Sequence, residues 1–264
     1  MFRNLVRLVR YRGLISSLVA RELKARYRGS VLGFLWSFIN PLLLLAIYSF
    51  IFTTIMPNRT KGLQPYALFM LCGILPWTWF SASLTEAAGS LIAGGNLIKK
   101  VLFPAEVLPI VSVLANMAHF FLALPIVAVV LIAYRHWPDA AGLAWLPLVV
   151  LIQLVFTCGL ALALAALTVH FRDIRDILAN VLMLWFFSTP IIYAWYQEEM
   201  LPYLFFFNLN PFTHLAVSYQ EILFFPGAYD HWRWLLLLGA LSVGVFLAGY
   251  WLFDRLRDSF AEVV

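Results

Sequence analysis

The sequence predicts an all-α integral membrane protein with six transmembrane helices, an N-terminal amphipathic interface helix and a re-entrant outer segment before the last helix. Three observations predict this fold class. The 264 residues are 63% hydrophobic and only 12% charged, about half the charged share of an ordinary soluble domain. Uncharged stretches long enough to cross a bilayer recur along the chain. Lys and Arg collect beside those stretches. We predict that residues 1–264 form a single transmembrane domain.

The uncharged stretches give the positions of the six predicted helices. Each is long enough for an α-helix to cross the hydrocarbon core, which takes about 20 residues. Together they form a bundle over residues 31–253. The stretches cover residues 29–58, 62–85, 107–134, 140–171, 177–197 and 234–253.

A further apolar stretch, 200–220, differs from these six. It is interrupted by Pro202, by Asn208 and by the pair Asn210-Pro211, so its apolar part is too short to span. Irregular backbone is tolerated at membrane depth only where protein or water covers it. We therefore predict a re-entrant or interfacial segment at about 198–231.

The sequence of residues 1–30 predicts an amphipathic segment that lies in the plane of the membrane surface. In its second half, Leu18 and Val19 belong to a broad apolar arc, whereas Arg21 and Lys24 cluster opposite. Helices of this kind place their cations toward anionic lipid headgroups. A plain topological anchor with no further role is the alternative interpretation.

The positions of the basic residues predict the orientation. With six spans, 14 of the 18 Lys and Arg residues lie on the cytoplasmic side, as expected for loops retained inside the cell. Both termini, including the tail 254–264, are then cytoplasmic. A seventh span would place Arg255 and Arg257 outside. The outer four cations are Arg59, Lys61, Arg135 and Arg233.

Several chemical functions lack their motifs. The sequence has no Gly-x-x-x-x-Gly-Lys-Ser/Thr loop for ATP phosphates and no His-Glu-x-x-His. No predicted span carries a carboxylate near its middle, which argues against proton-coupled transport and carboxylate catalysis in the membrane. Cys72 and Cys158 lie in apolar stretches, as packed thiols do. We expect no catalytic residue, no metal site and no cofactor bound by this chain.

The net charge of +5 does not indicate nucleic-acid binding, because the charges collect at span ends and form no solvated basic face. Three segments that begin or lie on the predicted cytoplasmic side are instead the informative ones. They are residues 21–41, from Arg-Glu-Leu-Lys to Ile-Asn-Pro; residues 96–104, Asn-Leu-Ile-Lys-Lys-Val-Leu-Phe-Pro; and residues 170–176, His-Phe-Arg-Asp-Ile-Arg-Asp.

Together with Asn210-Pro211-Phe212, these segments resemble the membrane subunits of type-2 ABC exporters. The closest likeness is to the polysaccharide branch, which exports O-antigen, capsule and teichoic-acid chains. The resemblance implies a permease of the bacterial inner membrane, with two six-span copies and two separate ATP-hydrolysing subunits. ATP and Mg would bind to the partner subunit, so the chain itself is not an enzyme. The implied substrate is a long glycan on a lipid carrier.

The resemblance also implies roles for particular residues. The segment after the second span would be the coupling helix that contacts the ATPase. Arg26 and Arg28 would contact the lipid pyrophosphate, because the planar guanidinium donates two hydrogen bonds to phosphate at once. The predicted coupling residues are Asn96, Leu97, Ile98, Lys99, Lys100, Val101, Leu102 and Phe103.

Aromatic residues are abundant in the first, second and fifth predicted spans. Aromatic rings with a polar group suit partly wet surfaces, and they could line a path for sugar rings between two copies. An ordinary aromatic belt at the membrane interfaces is the alternative. The five residues predicted to line the path are Trp36, Tyr48, Trp77, Tyr193 and Tyr196.

Three other functions remain open from the sequence. Related permeases export small lipids or drugs on the same plan. A membrane-embedded enzyme acting on polyprenyl lipids would need paired acids at a membrane face, and the adjacent pair Glu198-Glu199 lies on the predicted outer side. A purely structural membrane subunit would not need coupling loops.

Overall fold

The computed structural model describes residues 11–29, 33–55, 63–95, 104–194 and 198–260. Within these ranges the secondary structure is helical, which confirms the predicted all-α class. The α-helices, in chain order, are α1 (Arg12–Tyr27), α2 (Trp36–Phe50), α3 (Tyr66–Ala93), α4 (Val107–Ala133), α5 (Ala140–Leu143), α6 (Leu146–His170), α7 (Ile174–Phe187), α8 (Leu204–Leu209), α9 (Pro211–Leu223) and α10 (Trp232–Leu256).

Four helical stretches in the described ranges are long and apolar enough to cross a membrane. They are α3, α4, the run from α5 through α6, and α10. The first predicted span contains α2, of 15 residues with a π-helical extension over Ile51–Ile55. The fifth overlaps α7, which has 14 residues and begins three residues before the predicted span. Because these two helices are shorter, the six-span count stays a prediction.

Helix α3 forms the centre of the bundle. It contacts α2, α4, α6, α7 and α9, and most of its apolar window is buried inside the protein. The Trp79 and Phe80 rings are almost fully buried, and Trp79 Nε1 donates a 3.2 Å hydrogen bond to the Val113 carbonyl of α4. Interhelical hydrogen bonds and close packing hold helices together where lipid is as apolar as the core.

The backbones of α6 and α10 meet at two glycines. A Cβ on Gly159 would lie 2.6 Å from the Phe246 backbone, and one on Gly249 would overlap the Gly159 carbonyl. Small residues allow this approach, which is typical of helix pairs in membranes. These two helices form the most extensive helix pair of the described chain.

Helix α1 packs against the bundle rather than standing apart from it. Its residues Leu18 and Val19 form a small apolar cluster with Val107 and Val111 of α4. The predicted apolar arc therefore faces protein, at least along this side of the helix. Residues 1–10, the first half of the predicted amphipathic segment, lie outside the described ranges.

Helix α9 begins at the predicted Asn210-Pro211 pair. Asn210 is its N-cap, since Asn210 Oδ1 accepts a 3.0 Å hydrogen bond from Phe212 N, and Pro211 occupies the first helical position. Its 13 residues are too few to span a bilayer, and eleven of them are buried. The preceding α8 instead exposes Phe205, Phe206 and Leu209.

Candidate functional site

The predicted coupling segment joins α3 to α4 at the end of the bundle where α1 lies. Its eight residues, Asn96 to Phe103, lie outside the described ranges, but both of its flanks are described. Leu91 near the end of α3 and Ala105 before α4 belong to one buried apolar cluster with Tyr250 and Phe253 of α10. The described residues on both sides of the segment are therefore packed against the last helix.

An ion pair lies at Glu106, three residues after this segment. Glu106, directly before α4, is 2% exposed, and its Oε2 accepts a 2.7 Å hydrogen bond from Arg257 Nη2. Close by, Ser259 Oγ lies 2.9 Å from His170 Nε2 at the end of α6. The short 3₁₀ turn Arg257–Ser259, which follows the end of α10, thus contacts the start of α4 and the end of α6.

Arg26 belongs to a second polar cluster, between α1, α3 and α4. Arg26 Nη2 donates to both carboxylate oxygens of Glu86 at 2.7 Å, and Nη1 donates to Asn116 Oδ1 at 3.1 Å. Asn116 Nδ2 completes the triangle with a 2.7 Å bond to Glu86 Oε2. A carboxylate among apolar helices is tolerated when a partner balances its charge and its lone pairs are satisfied.

The two arginines predicted to contact pyrophosphate therefore differ. Arg26 is engaged by Glu86, so a phosphate reaches its Nη2 only in competition with that carboxylate. Arg28 follows the last residue of α1, and its side chain is exposed. The geometry leaves Arg28 the more accessible of the two.

Glu86 and Asn116 were not predicted as site residues. The uncharged stretch ends at residue 85, yet α3 continues to Ala93, so Glu86 lies within the helix about two turns from its end. A signal was present, because Asn116 and His119 are rare polar residues in the otherwise apolar α4. Neither Glu86 nor Glu106 lies near the middle of a spanning helix, in agreement with the sequence expectation for these two residues.

The residues predicted to line a path do not share one environment. Trp77 is only 7% exposed and packs edge-on against Phe212 at 4.9 Å, so it is a core residue of this structure. Tyr48 is half-buried against Phe52. Tyr193 is also half-buried, and its hydroxyl donates to the Phe187 carbonyl at 3.0 Å. Tyr196 lies outside the described ranges.

Trp36 is the most exposed of the described four, at 39%. It lines the same cavity as Arg26 and Asn116, a space of about 360 Å³ between α1, α2, α3 and α4. The fold thus brings together Arg26, which was predicted to contact pyrophosphate, and Trp36, which was predicted to line a path for the glycan.

A histidine pair lies at the start of α10. His214 Nδ1 is 3.0 Å from His231 Nε2, and the His214 ring stacks on Trp234 at 4.7 Å. Two causes lower the pKa of His231 to about 4: burial, which has the larger effect, and the neighbouring His214. The pair's contribution to stability is therefore complete above the ordinary pKa near 6.5 and declines as the pH falls toward 4.

Fold and site define an α-helical, multi-pass membrane protein in which polar clusters join helices at one end of the bundle. The chain belongs to the ABC-2 type transporter family, whose pattern matches residues 13–224. It is thus a membrane subunit of an ABC transport system, with a transport role rather than a catalytic one.

Three similar proteins align with most or all of the chain. The O-antigen export system permease protein RfbA of Myxococcus xanthus is 43% identical over 100% of both chains. A protein of the same name from Klebsiella pneumoniae is 32% identical over 95% of both chains. The polysialic acid transport protein KpsM of Escherichia coli is 21% identical, over 78% of this chain and 80% of its own.

Proposed function

We propose that this chain is the transmembrane subunit of an ATP-driven exporter that moves a lipid-linked polysaccharide across the bacterial inner membrane. The observation that carries the proposal is the 43% identity to an O-antigen export permease, because it extends over the full length of both chains. Capsule polysaccharide export proteins among the more distant relatives support the same substrate class. The polysaccharide could be O-antigen, capsule or a similar glycan.

The proposed assembly contains two copies of this chain and two copies of an ATPase subunit that binds ATP and Mg. The apolar residues of the segment 96–103 would anchor the ATPase, and Lys99 and Lys100 would lie at the rim of that contact. Buried anchors dominate affinity, while rim charges mainly affect association rate. The packing of both flanks of this segment against α10 supports the proposal, since it would pass a displacement of the segment into the bundle.

The lipid carrier would reach the protein at the cytoplasmic headgroup level, near Arg26 and Arg28. Arg28 would meet the pyrophosphate directly, and Arg26 would do so by exchanging with Glu86. Trp36, Tyr48, Tyr193 and Tyr196 would give the glycan many weak stacking contacts, which suit a polymer that must slide.

The proposed topology has six spans and cytoplasmic termini, with residues 198–231 dipping into the membrane from outside. The location of α2 within the first predicted span and the overlap of α7 with the fifth support six crossings. The short, buried α9 supports the re-entrant segment, because it is enclosed by α3, α6 and α10 rather than by lipid.

Cysteine labelling tests this topology. Ala140→Cys and Ala228→Cys, both at exposed positions, are expected to react with an impermeant maleimide in intact spheroplasts. Asp173→Cys, also exposed, is expected to react only after lysis. The native Cys72 and Cys158 are buried and give a low background. Labelling of position 173 in intact spheroplasts would contradict the proposed orientation.

Deletion of the gene tests the proposed substrate. We expect loss of one surface polysaccharide and accumulation of its lipid-linked form inside the cell, with both reversed by the wild-type chain. Expression of the chain with Phe103→Ala is expected to restore far less export than expression with Lys100→Ala at equal protein level. An unchanged surface polysaccharide with altered small-lipid or drug export would favour the small-substrate exporter instead.

A further inference from the structure

A second cavity lies beside Glu86, among α1, α3, α4 and the start of α7. Its volume is about 460 Å³, and its lining includes Glu86 and Gly89 of α3 and Arg175 of α7. Glu86 also belongs to the cluster with Arg26 and Asn116. The carboxylate therefore lies between its present partners and a cavity that holds another arginine.

The Arg175 guanidinium lies against the same face of α3 as Glu86. A Cβ added to Gly89 would be 3.6 Å from Arg175 Cζ. Gly89 follows Glu86 by three residues, and side chains at that spacing begin about 5–6 Å apart on one face of a helix. Changes of side-chain rotamer are therefore enough to bring the Arg175 guanidinium and the Glu86 carboxylate together.

Arg175 carries the excess positive charge of this cavity. In the part of the chain that the structure describes, it forms no ion pair. The other charged residues of the lining are Arg21 and Glu22, which have opposite formal charges, and Glu86, which is paired with Arg26. A carboxylate that entered the cavity would thus find Arg175 without a competing acid.

The proposed contact between Arg26 and the lipid pyrophosphate sets a requirement for Glu86. The phosphate takes Arg26 only if Glu86 releases it. The Glu86 side chain is 35% exposed, so the released carboxylate would be only partly hydrated. Leaving such a charge without a partner costs free energy, and that cost would weaken phosphate binding. A second cation within reach removes it.

We propose that Arg175 is a positioning residue that receives the Glu86 carboxylate when the pyrophosphate of the lipid carrier takes Arg26. The inference rests on the pyrophosphate contact proposed above, and it adds the role of α7 in that contact. Glu86 then has two cationic partners, Arg26 in the empty chain and Arg175 in the loaded one. Because Arg175 lies in the first turn of α7, the new ion pair holds the start of α7 against α3 while the carrier is bound.

Binding of a pyrophosphate lipid to a set of variants tests this exchange. The chain is placed in phosphatidylcholine nanodiscs, whose headgroups carry no net charge. Binding of radiolabelled farnesyl pyrophosphate is measured by scintillation proximity, with empty nanodiscs subtracted. Farnesol, which lacks the pyrophosphate, is the control competitor and is expected not to displace the label.

Arg175→Gln is expected to weaken binding about tenfold, the order of one hydrogen bond between charged groups in a partly exposed site. Arg175→Lys keeps the cation and should retain most of the affinity, which a general loss of packing would not explain. Arg172→Gln is the matched control, because this arginine is also exposed and lies three residues earlier. It should bind like the wild type.

Glu86→Gln separates the exchange from a direct contact between Arg175 and the phosphate. It frees Arg26 from a competing carboxylate, so binding should become tighter than in the wild type. Adding Arg175→Gln to Glu86→Gln should then cause no further loss, since no carboxylate remains to be received. A direct contact would instead weaken binding equally in both backgrounds. Glu86→Met takes the place of Glu86→Gln if the latter does not fold.

Three results would overturn the inference. They are unchanged binding in Arg175→Gln, equal losses from Arg175→Gln with and without Glu86, or equal losses in Arg175→Gln and Arg172→Gln, which would indicate a general effect of positive charge. A wild-type chain that does not bind farnesyl pyrophosphate would overturn the pyrophosphate contact and the inference together. The export function is tested separately, by the surface polysaccharide of the deletion strain.

Discussion

Replacing Gly249 with leucine is expected to abolish accumulation of the folded protein, whereas the same replacement at Gly244 leaves it near the wild-type level. A side chain at Gly249 would overlap the Gly159 carbonyl, and the α6 backbone cannot rotate away as a flexible side chain can. Overpacking typically costs about 1–3 kcal/mol and sometimes more. We expect the upper end here, because backbone meets backbone.

Gly244 is the matched control because it is also a glycine and lies on the same helix. An added Cβ there meets no atom within 4 Å, and the position is exposed. Helix propensity favours leucine over glycine by a similar amount at both sites, on the order of 0.5–1 kcal/mol. Membrane yield and the midpoint of thermal unfolding measure the difference. Equal values for the two variants would contradict the close approach of α6 and α10.

Loss of the Glu106–Arg257 pair is expected to have the second-largest effect. Arg257→Met leaves the Glu106 carboxylate, 2% exposed, without its 2.7 Å partner. Removing one member of a buried pair costs about 3–5 kcal/mol, while replacing both members is often close to neutral. Since the Arg257 side chain is 29% exposed, solvent screening reduces the loss, and about 2 kcal/mol is expected.

The double variant Glu106→Met with Arg257→Met should recover most of that stability, because neither a buried charge nor an unpaired buried polar group remains. Arg255→Met is the control. Its guanidinium lies over the Trp251 ring at 5.4 Å, an exposed contact worth about 0.5–1 kcal/mol. Thermal unfolding of the purified chain measures all three variants. If the double variant is no more stable than Arg257→Met, the pair does not stabilise the fold in this way.

The sequence was sufficient for the features that depend on one element at a time. Uncharged length identified α3, α4, α6 and α10, because the cost of charge in lipid acts on each helix separately. The Asn-Pro pair identified the start of α9, because capping is a local effect. The shorter α2 and α7 overlap the first and fifth predicted spans, but they lack the length that a crossing requires, so these two spans stay predictions.

The features that depend on two distant elements could not be predicted. Glu86 is compatible with α3 because Arg26, 60 residues earlier, balances its charge, and no window of sequence contains both partners. Trp77 was expected on a path, yet it packs against Phe212 in the core. Both faces of a helix in lipid are apolar, so composition does not distinguish a buried ring from an accessible one.

Glycan export is measured directly as ATP-dependent movement of a lipid-linked glycan across a reconstituted bilayer. The chain and its ATPase partner are purified together and reconstituted into vesicles with the lipid-linked polysaccharide that accumulates in the deletion strain. Glycan exposure is then read with an enzyme or lectin that cannot cross the bilayer. We expect that ATP and Mg transfer the glycan to the opposite leaflet, and that Phe103→Ala abolishes this transfer while both subunits remain present. Equal transfer without ATP, or ATP-driven transfer of small lipids but not of the glycan, would contradict it.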